Sequence, residues 1–426
     1  MNNRTLVPGL ISFSLLIAAL ITRNGDIARM MLPFLAYLGM GILQSPRFED
    51  LRLGAKRTLT ESRSDGVISF HANLTVQNQA SGTVHLFIVE TPQAGMKITD
   101  GDLSCWVTLR PAETAGLNYT FTAARGDYSW DSVKTWVCDP LGLIGTDKSL
   151  PADVMVQVRP QIKKFKAIPL RPHSTLHSPG SIPARLGGSG TDFYGVREYH
   201  SGDPLRSLEW RLTARHPRKF FTKEFEQEEI AEIGLILDAR QSTDLRLGED
   251  SLFEHCVDAT ASLAEMFLHQ GHRVSLLVFG ADLSSAYPGY GKMQLHRIMS
   301  CLSKAKVEKE GSSAAYLNFI PLRMFPSHAL IVVISSLTST DRMLFQRLRA
   351  YGYQALLVSP DTLDFAGSDL PQDTTHRLAF RAARLERRLL LNHIAGLHIP
   401  VIDWRVSQPL YPLVRNALTL SRGQRE

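Results

Sequence analysis

Two apolar runs of 17 residues open the chain, 6–22 (LVPGLISFSLLIAALIT) and 27–43 (IARMMLPFLAYLGMGIL), separated by the polar turn Arg23-Asn24-Gly25-Asp26. Runs of this length lie at the short end of what crosses a bilayer as a helix, so residues 1–44 are expected to form two transmembrane helices. No small-x-small cleavage site precedes the turn, which argues against a removable leader. From about residue 58 the pattern changes to period two: Ile68, Phe70, Ala72, Leu74 and Val76 alternate with polar neighbours and end at the turn signal Asn78-Gln79-Ala80-Ser81-Gly82. Further short strands fit residues 83–90, 117–123 and 154–158, and this spacing predicts a β-sandwich-like domain over residues 45–166.

Residues 167–190 hold Pro169, Pro172, Pro179, Pro183 and the run Gly187-Gly188-Ser189-Gly190, which reads as a linker leading into residues 191–229. The glycines lack the preceding strand and the following Lys-Ser or Lys-Thr of a phosphate-binding loop. Beyond residue 229, fully apolar runs at 233–237, 274–279, 329–334, 355–358 and 400–402 alternate with helical periodicity. In one such helix Leu252, Cys256, Ala259, Leu263 and Phe267 share a face. Residues 230–426 are therefore expected to form a doubly wound, mainly parallel α/β sheet, with ligands received beyond the carboxyl ends of its strands, near Asp238, Gly280, Ser335 and Ser336.

Composition refines this only in places. With 47 basic and 41 acidic residues the net charge is +6, a modest excess that does not indicate a nucleic-acid partner. The charge is patterned: residues 157–223 carry 13 Lys and Arg against 4 Asp and Glu, and residues 224–265 carry 2 against 12. Cys105, Cys138, Cys256 and Cys301 have no zinc-site spacing; Cys105 with Cys138 is the one pair that an oxidising compartment could join, and reduced, buried thiols are the expectation. Arg4, Arg47, Arg52, Lys56 and Arg57 outnumber Arg23 and Arg29 at the turn, so the anchor is expected to leave both ends, and the soluble domains, in the cytoplasm.

The segments Arg125-Gly126-Asp127-Tyr128, Asp139-Pro140-Leu141-Gly142-Leu143 and, above all, GTDFYGVREYHSGDPLRSLEWRLTAR over residues 190–215 resemble the bacterial domain-of-unknown-function family 58. That resemblance implies a multidomain layout: an N-terminal membrane hairpin, a β-domain and a C-terminal von Willebrand A-like α/β domain. It also implies association with MoxR-type AAA+ ATPases and other membrane proteins at the inner membrane lipid, with no established enzymatic activity.

Within the long segment, Asp192, Arg197, Tyr199, Asp203, Arg206, Trp210, Arg211 and Arg215 mix carboxylates, guanidiniums and aromatic rings. Such a set either locks a loop by bidentate pairing or forms a docking surface with Trp and Arg anchors. Von Willebrand A domains that hold a divalent ion use an Asp-x-Ser-x-Ser turn after the first strand and an aspartate after a later one. Here the turn reads Asp238-Ala239-Arg240-Gln241-Ser242, and Ser336 stands where the aspartate is expected. A guanidinium beside the site and a missing carboxylate disfavour Mg²⁺, so no metal and no cofactor are expected, and Arg240 paired with Asp238 could itself supply the positive charge.

Neither a metalloprotease, a nucleophile-elbow nor a Walker signature occurs, and His200, His216, His255 and His272 are scattered. The expected role is thus a non-enzymatic adaptor of an AAA+ ATPase. The alternative is an envelope-associated hydrolase or polymer-binding protein in which Asp192 or Asp203 of the 192–215 region acts as general acid or base.

Overall fold

The computed structural model describes residues 3–43, 51–64, 67–140, 145–168, 176–216, 218–241, 244–248, 250–280, 284–307, 324–327, 329–367 and 374–420. The chain divides into two compact units, residues 1–158 and 159–426.

The first unit begins with α1 (Asn3–Thr22), α2 (Gly25–Arg29) and α3 (Leu32–Leu43). Asn24 caps α2 by accepting the Asp26 N–H at 3.0 Å. The second apolar run is thus split into a five-residue and a twelve-residue helix, and twelve residues rise only about 18 Å against a hydrocarbon core of about 30 Å. The apolar part of α1 is interrupted by Pro8 and carries Ser12 and Ser14. Among the described residues no helix is long and apolar enough to cross a membrane. The expected transmembrane hairpin is overturned by this finding.

Eight antiparallel strands follow: β1 (Leu53–Ser64), β2 (Val67–Asn78), β3 (Val84–Val89), β4 (Met96–Gly101), β5 (Ser104–Leu109), β6 (Thr114–Ala123), β7 (Gly126–Cys138) and β8 (Gly145–Val158). They form two four-stranded sheets, ordered β1-β2-β6-β4 and β5-β3-β7-β8. Alternate residues of β2 and β6 (Leu74, Val76, Leu117) meet those of β3, β7 and β8 (Leu86, Ile88, Val137, Leu150) in one buried cluster. Arg57 is buried between the sheets. It donates to both carboxylate oxygens of Glu90, at 2.9 and 2.8 Å, and to the Ala152 carbonyl at 2.8 Å. Cys105 and Cys138 flank β3 on opposite sides, paired in register with Ile88 and His85, and are not joined by a disulfide.

In the second unit, residues 159–168, of which 159–166 were expected to close the β-domain, run along a helix of the α/β fold. The Gln161 N–H donates to Asp258 at 2.8 Å, the Lys163 N–H donates to Ser262 Oγ at 2.9 Å, and Ile168 is fully buried. Where a linker was expected, β9 (Leu176–Glu198) pairs antiparallel with β10 (Phe221–Ile230), with register shifts that absorb the glycine-rich stretch. Between them lies the short α4 (Trp210–Arg215).

The sheet of the α/β fold contains β11 (Glu232–Asp238), β14 (Arg273–Phe279), β15 (Ser284–Gly289), β16 (Leu330–Ile334), β17 (Gln354–Pro360) and β18 (Val401–Trp404), after a two-residue hairpin of β12 (Arg246–Leu247) and β13 (Asp250–Ser251). Its order is β15-β14-β11-β16-β17-β18, parallel except for the edge strand β15. The helices are α5 (Leu252–His269), α6 (Gly291–Lys304), α7 (Arg342–Ala350), α8 (Thr362–Ala366), α9 (Thr374–Gly396) and α10 (Leu410–Leu420). Residues of β11, β14 and β16 pointing one way join the core under α5 and α6, and those pointing the other way join the core with α7 and the end of α9. The strand order reverses between β11 and β16, so the connections leaving their carboxyl ends run in opposite directions and open a crevice there.

Candidate site at the strand switch point

Seven consecutive buried residues make β11 a central strand, and it ends at Asp238. The chain turns there because the Ala239 N–H donates to the Phe279 carbonyl at 2.7 Å and the Arg240 N–H to Asp238 Oδ1 at 3.1 Å. This turn folds the Arg240 side chain back over its own strand end. Nε donates to Asp238 Oδ1 at 2.9 Å and Nη2 to Asp238 Oδ2 at 2.7 Å. On its other edge the guanidinium meets Asp341, with Nη1 to Oδ1 at 3.0 Å and Nη2 to Oδ2 at 2.8 Å. Its Cζ lies 5.6 Å from the Phe279 ring centroid.

Both carboxylates are held from elsewhere. Ser335 Oγ, just beyond β16, donates to Asp238 Oδ2 at 2.6 Å and accepts the Leu337 N–H at 3.0 Å. Leu337 has φ +66°, a left-handed conformation that costs a branched side chain about 1 kcal/mol and is sustained by the contacts around it. Asp341 closes a capping box with Thr338 ahead of α7, accepting the Thr338 N–H at 2.6 Å. Ile236, Val333, Leu337, Leu344 and Phe345 wall the crevice around the three charges.

Asp238, Arg240 and Asp341 are all nearly excluded from solvent. Burial opposes the guanidinium's charge, but the bonds to Asp238 and Asp341 outweigh it and hold its pKa above the ordinary arginine value. The guanidinium thus sits where two carboxylates and a hydroxyl converge, the oxygen-donor set a hard divalent ion would take, and it binds them with fixed fork geometry. Of the positions singled out in the sequence, Asp238 and Arg240 meet here, Ser336 is buried next to Ser335, and Ser335 bonds to Asp238. Ser242 lies outside the described residues. Asp341 was missed. Its signal was the Thr338-Ser339-Thr340-Asp341 capping spacing before an amphipathic helix, which announces a helix start but not an arginine partner.

The signature segment forms a second cluster, around Arg197 on β9. Its Nη1 and Nη2 donate to Asp203 at 2.7 and 2.8 Å, and Nε donates to Glu224 of β10 at 2.8 Å. The His200 N–H donates to Asp203 at 2.9 Å, so the turn 199–203 is tied to the ribbon. The Arg197 bond, with that N–H, holds the Asp203 carboxyl down to about 2, far from the range of a general acid. Tyr199 donates its N–H to the Phe220 carbonyl and packs edge-on against that ring. Leu208 is buried and bridges Thr222, while the Glu209 N–H bonds the Phe221 carbonyl, which seats α4 against β10.

Arg197, Tyr199 and Asp203 are therefore drawn together, whereas Arg206, Trp210, Arg211 and Arg215 face solvent. The Asp192 side chain lies outside the described residues. The Arg197–Glu224 pair also joins the basic and acidic blocks read from the sequence.

Residues 195–387 match the family described as "Protein of unknown function DUF58". An uncharacterized protein of Bacillus subtilis (strain 168), YeaD, is 29% identical over 158 residues, which is 37% of this chain and 37% of that protein. The chain thus matches little more than a third of that relative's length. Among solved structures, the FixG-related protein from Vibrio parahaemolyticus aligns with a TM-score of 0.16 and 11% identity, over 24% of this chain and 94% of that one. Proximal thread matrix protein 1 from the mussel byssus aligns with a TM-score of 0.28 and 10% identity, over 45% and 47%. Likenesses this distant bear on neither fold nor function. The matched span runs through the Arg197 cluster and the Asp238–Arg240–Asp341 site, so both lie in the part of the chain that is similar to the family of unknown function DUF58.

Proposed function

We propose that the chain is a non-enzymatic adaptor that docks a protein partner on the outward face of the signature segment, the partner being a MoxR-type AAA+ ATPase as the family resemblance implies. The observation that carries this reading is the presentation of Trp210. Its side chain is 65% exposed at the start of α4, with exposed Arg211 and Arg215 one turn apart and Leu205 and Phe220 also exposed. Tryptophan and arginine held rigidly on a surface supply large contact area at small conformational cost, the usual composition of an interface anchor. The Arg197–Asp203–Glu224 bonds beneath supply the rigidity.

The two carboxylates with the clearest environment support a role other than chemistry. Asp203 is consumed by Arg197, and Asp238 is consumed by Arg240 and Ser335. The Cys256 thiol is pushed above its usual pKa by burial and by the charges of Asp238 and Asp244, which removes it as a nucleophile.

The test is binding of the purified ATPase, with and without nucleotide, to the wild-type chain and to Trp210→Ala. The expected result is at least about a tenfold loss of affinity, or about 1.4 kcal/mol, with an unchanged melting temperature. Equal binding by the variant, or no binding by the wild type in any nucleotide state, would overturn the proposal.

A further inference from the structure

Helix α9 carries two apolar faces where a surface helix needs one. Its inner face places Leu391 and Ile394 in the core, and Arg387 donates inward to Asp403 at 2.6 Å and to the Ser359 carbonyl at 3.2 Å. On the opposite side Leu378, Leu385 and Leu389 are 65%, 58% and 68% exposed, with exposed Ala382 between them. The spacing 378, 382, 385, 389 keeps these four within an arc of about 60° at about 100° per residue, centred roughly 180° from the inner face.

One position earlier, Arg377, Arg381, Arg384 and Arg388 repeat the same spacing, so a row of four exposed guanidiniums runs beside the leucines on one flank. The other flank holds Ala379 and Glu386, the one acidic residue between 374 and 396. Arg384 lies over the Phe380 ring at 5.1 Å, and among the described residues no carboxylate pairs with any of the four.

We infer that this outer face of α9 is a docking seam for an α-helix of another protein, one that presents an aliphatic stripe with a row of aspartates or glutamates along one side. The argument rests on charge and shape. A narrow leucine stripe is the geometry of a helix–helix seam, while a helix lying in a lipid interface presents a broad apolar face with basic residues on both flanks. Charge opposes an antiparallel pairing with a second copy of this chain. In an antiparallel two-fold pair like flanks meet, which sets four arginines against four. An acidic helix removes that repulsion and covers the leucines together. This seam is separate from the surface around Trp210, and the reading does not depend on the ATPase.

The experiment uses the full chain and a fluorescent designed peptide of four heptads, with leucines at a and d and glutamates at e and g; its own negative charge keeps it from self-pairing at neutral pH. Anisotropy is followed for wild type, Leu385→Asp, the double variant Arg381→Glu/Arg384→Glu, and Trp210→Ala. Leu385 and both arginines are exposed, so these variants keep the wild-type melting temperature. Binding is expected for wild type and Trp210→Ala, to weaken at least about tenfold in Leu385→Asp and in the double variant, and to weaken as salt rises from about 50 to about 500 mM.

Equal affinity for a scrambled peptide of the same composition would overturn the inference, as would binding unaffected by Leu385→Asp. So would preferential binding to phosphatidylglycerol vesicles, or self-association of the chain abolished by Leu385→Asp. Loss of ATPase binding in Trp210→Ala with peptide binding intact separates the two surfaces.

Discussion

Arg240 shows how much one side chain decides at a strand end. It satisfies two carboxylates that would otherwise repel each other in a site nearly closed to water. Arg240→Ala leaves both buried and uncompensated, so a loss of about 3–5 kcal/mol in urea unfolding is expected. Replacing Arg240 by Met together with Asp238→Asn and Asp341→Asn should recover most of that loss, because the cost lies in the unpaired charge. His272 makes the opposite kind of statement. It is buried, neither ring nitrogen has a partner among the described residues, and burial lowers its pKa to about 4. The unfolded chain binds this proton below about 6.5 while the folded one refuses it until about 4, so stability falls by up to roughly 3 kcal/mol as pH drops through that window. Asp258 works against it. Burial raises its carboxyl to about 6, so the folded state takes up a proton first and gains stability as pH falls from about 6 to about 3.8. Urea titrations at about pH 7 and about pH 4.5 separate the two groups. His272→Phe should lose less stability on acidification than wild type, and Asp258→Asn should lose more.

At the scale of elements, β11 is legible from its uninterrupted apolar run, but its one glycine is not. Gly234 has no need of an unusual backbone angle. A Cβ there would stand 2.5 Å from the Phe325 ring and 2.7 Å from Ile331, so the strand accepts only glycine against that packing. Gly234→Ala is expected to cost about 1–3 kcal/mol by overpacking, read as a lower melting temperature with unchanged far-ultraviolet dichroism. The β9–β10 ribbon went the other way. Its prolines and glycines read as a linker because propensity speaks against a strand, yet pairing with β10 across register shifts accommodates them. The edge strand β15 was also unannounced, since Ser284–Gly289 lacks an apolar run and is held by its antiparallel bonds to β14. The N-terminal runs were over-read: total apolar length was legible, but the break after Arg29 that leaves a twelve-residue helix was not.

At the scale of the molecule, among the described residues the buried clusters of the sandwich draw on residues up to 158, and those of the α/β fold on residues from 168 onward. A cavity made in one unit should therefore leave the other intact. Leu86→Ala, at a fully buried position of β3, is expected to cost about 2–5 kcal/mol and to speed amide exchange in β2, β3, β6 and β7. The amides of β11, β14 and β16 should keep their protection in the same hydrogen-exchange experiment. Loss of protection in both sets would show that the units unfold as one.

The sequence by itself determined what depends on local periodicity. Alternation at Ile68–Val76 marks a half-buried strand, continuous apolar runs mark the buried parallel strands, and the shared face of Leu252, Cys256, Ala259, Leu263 and Phe267 marks α5. It also placed Arg240 beside Asp238, because residues two apart on a turn can meet. Only the tertiary structure brought in Asp341, 101 residues further along, and Ser335, because their approach depends on β11 and β16 lying side by side with helices leaving in opposite directions. Which of the eight signature residues turn inward and which face water was likewise decided by the seat of α4 on β10. No periodicity in so short a helix could specify it, since burial of Leu208 and the bonds from Glu209 and Thr213 to the strand orient it.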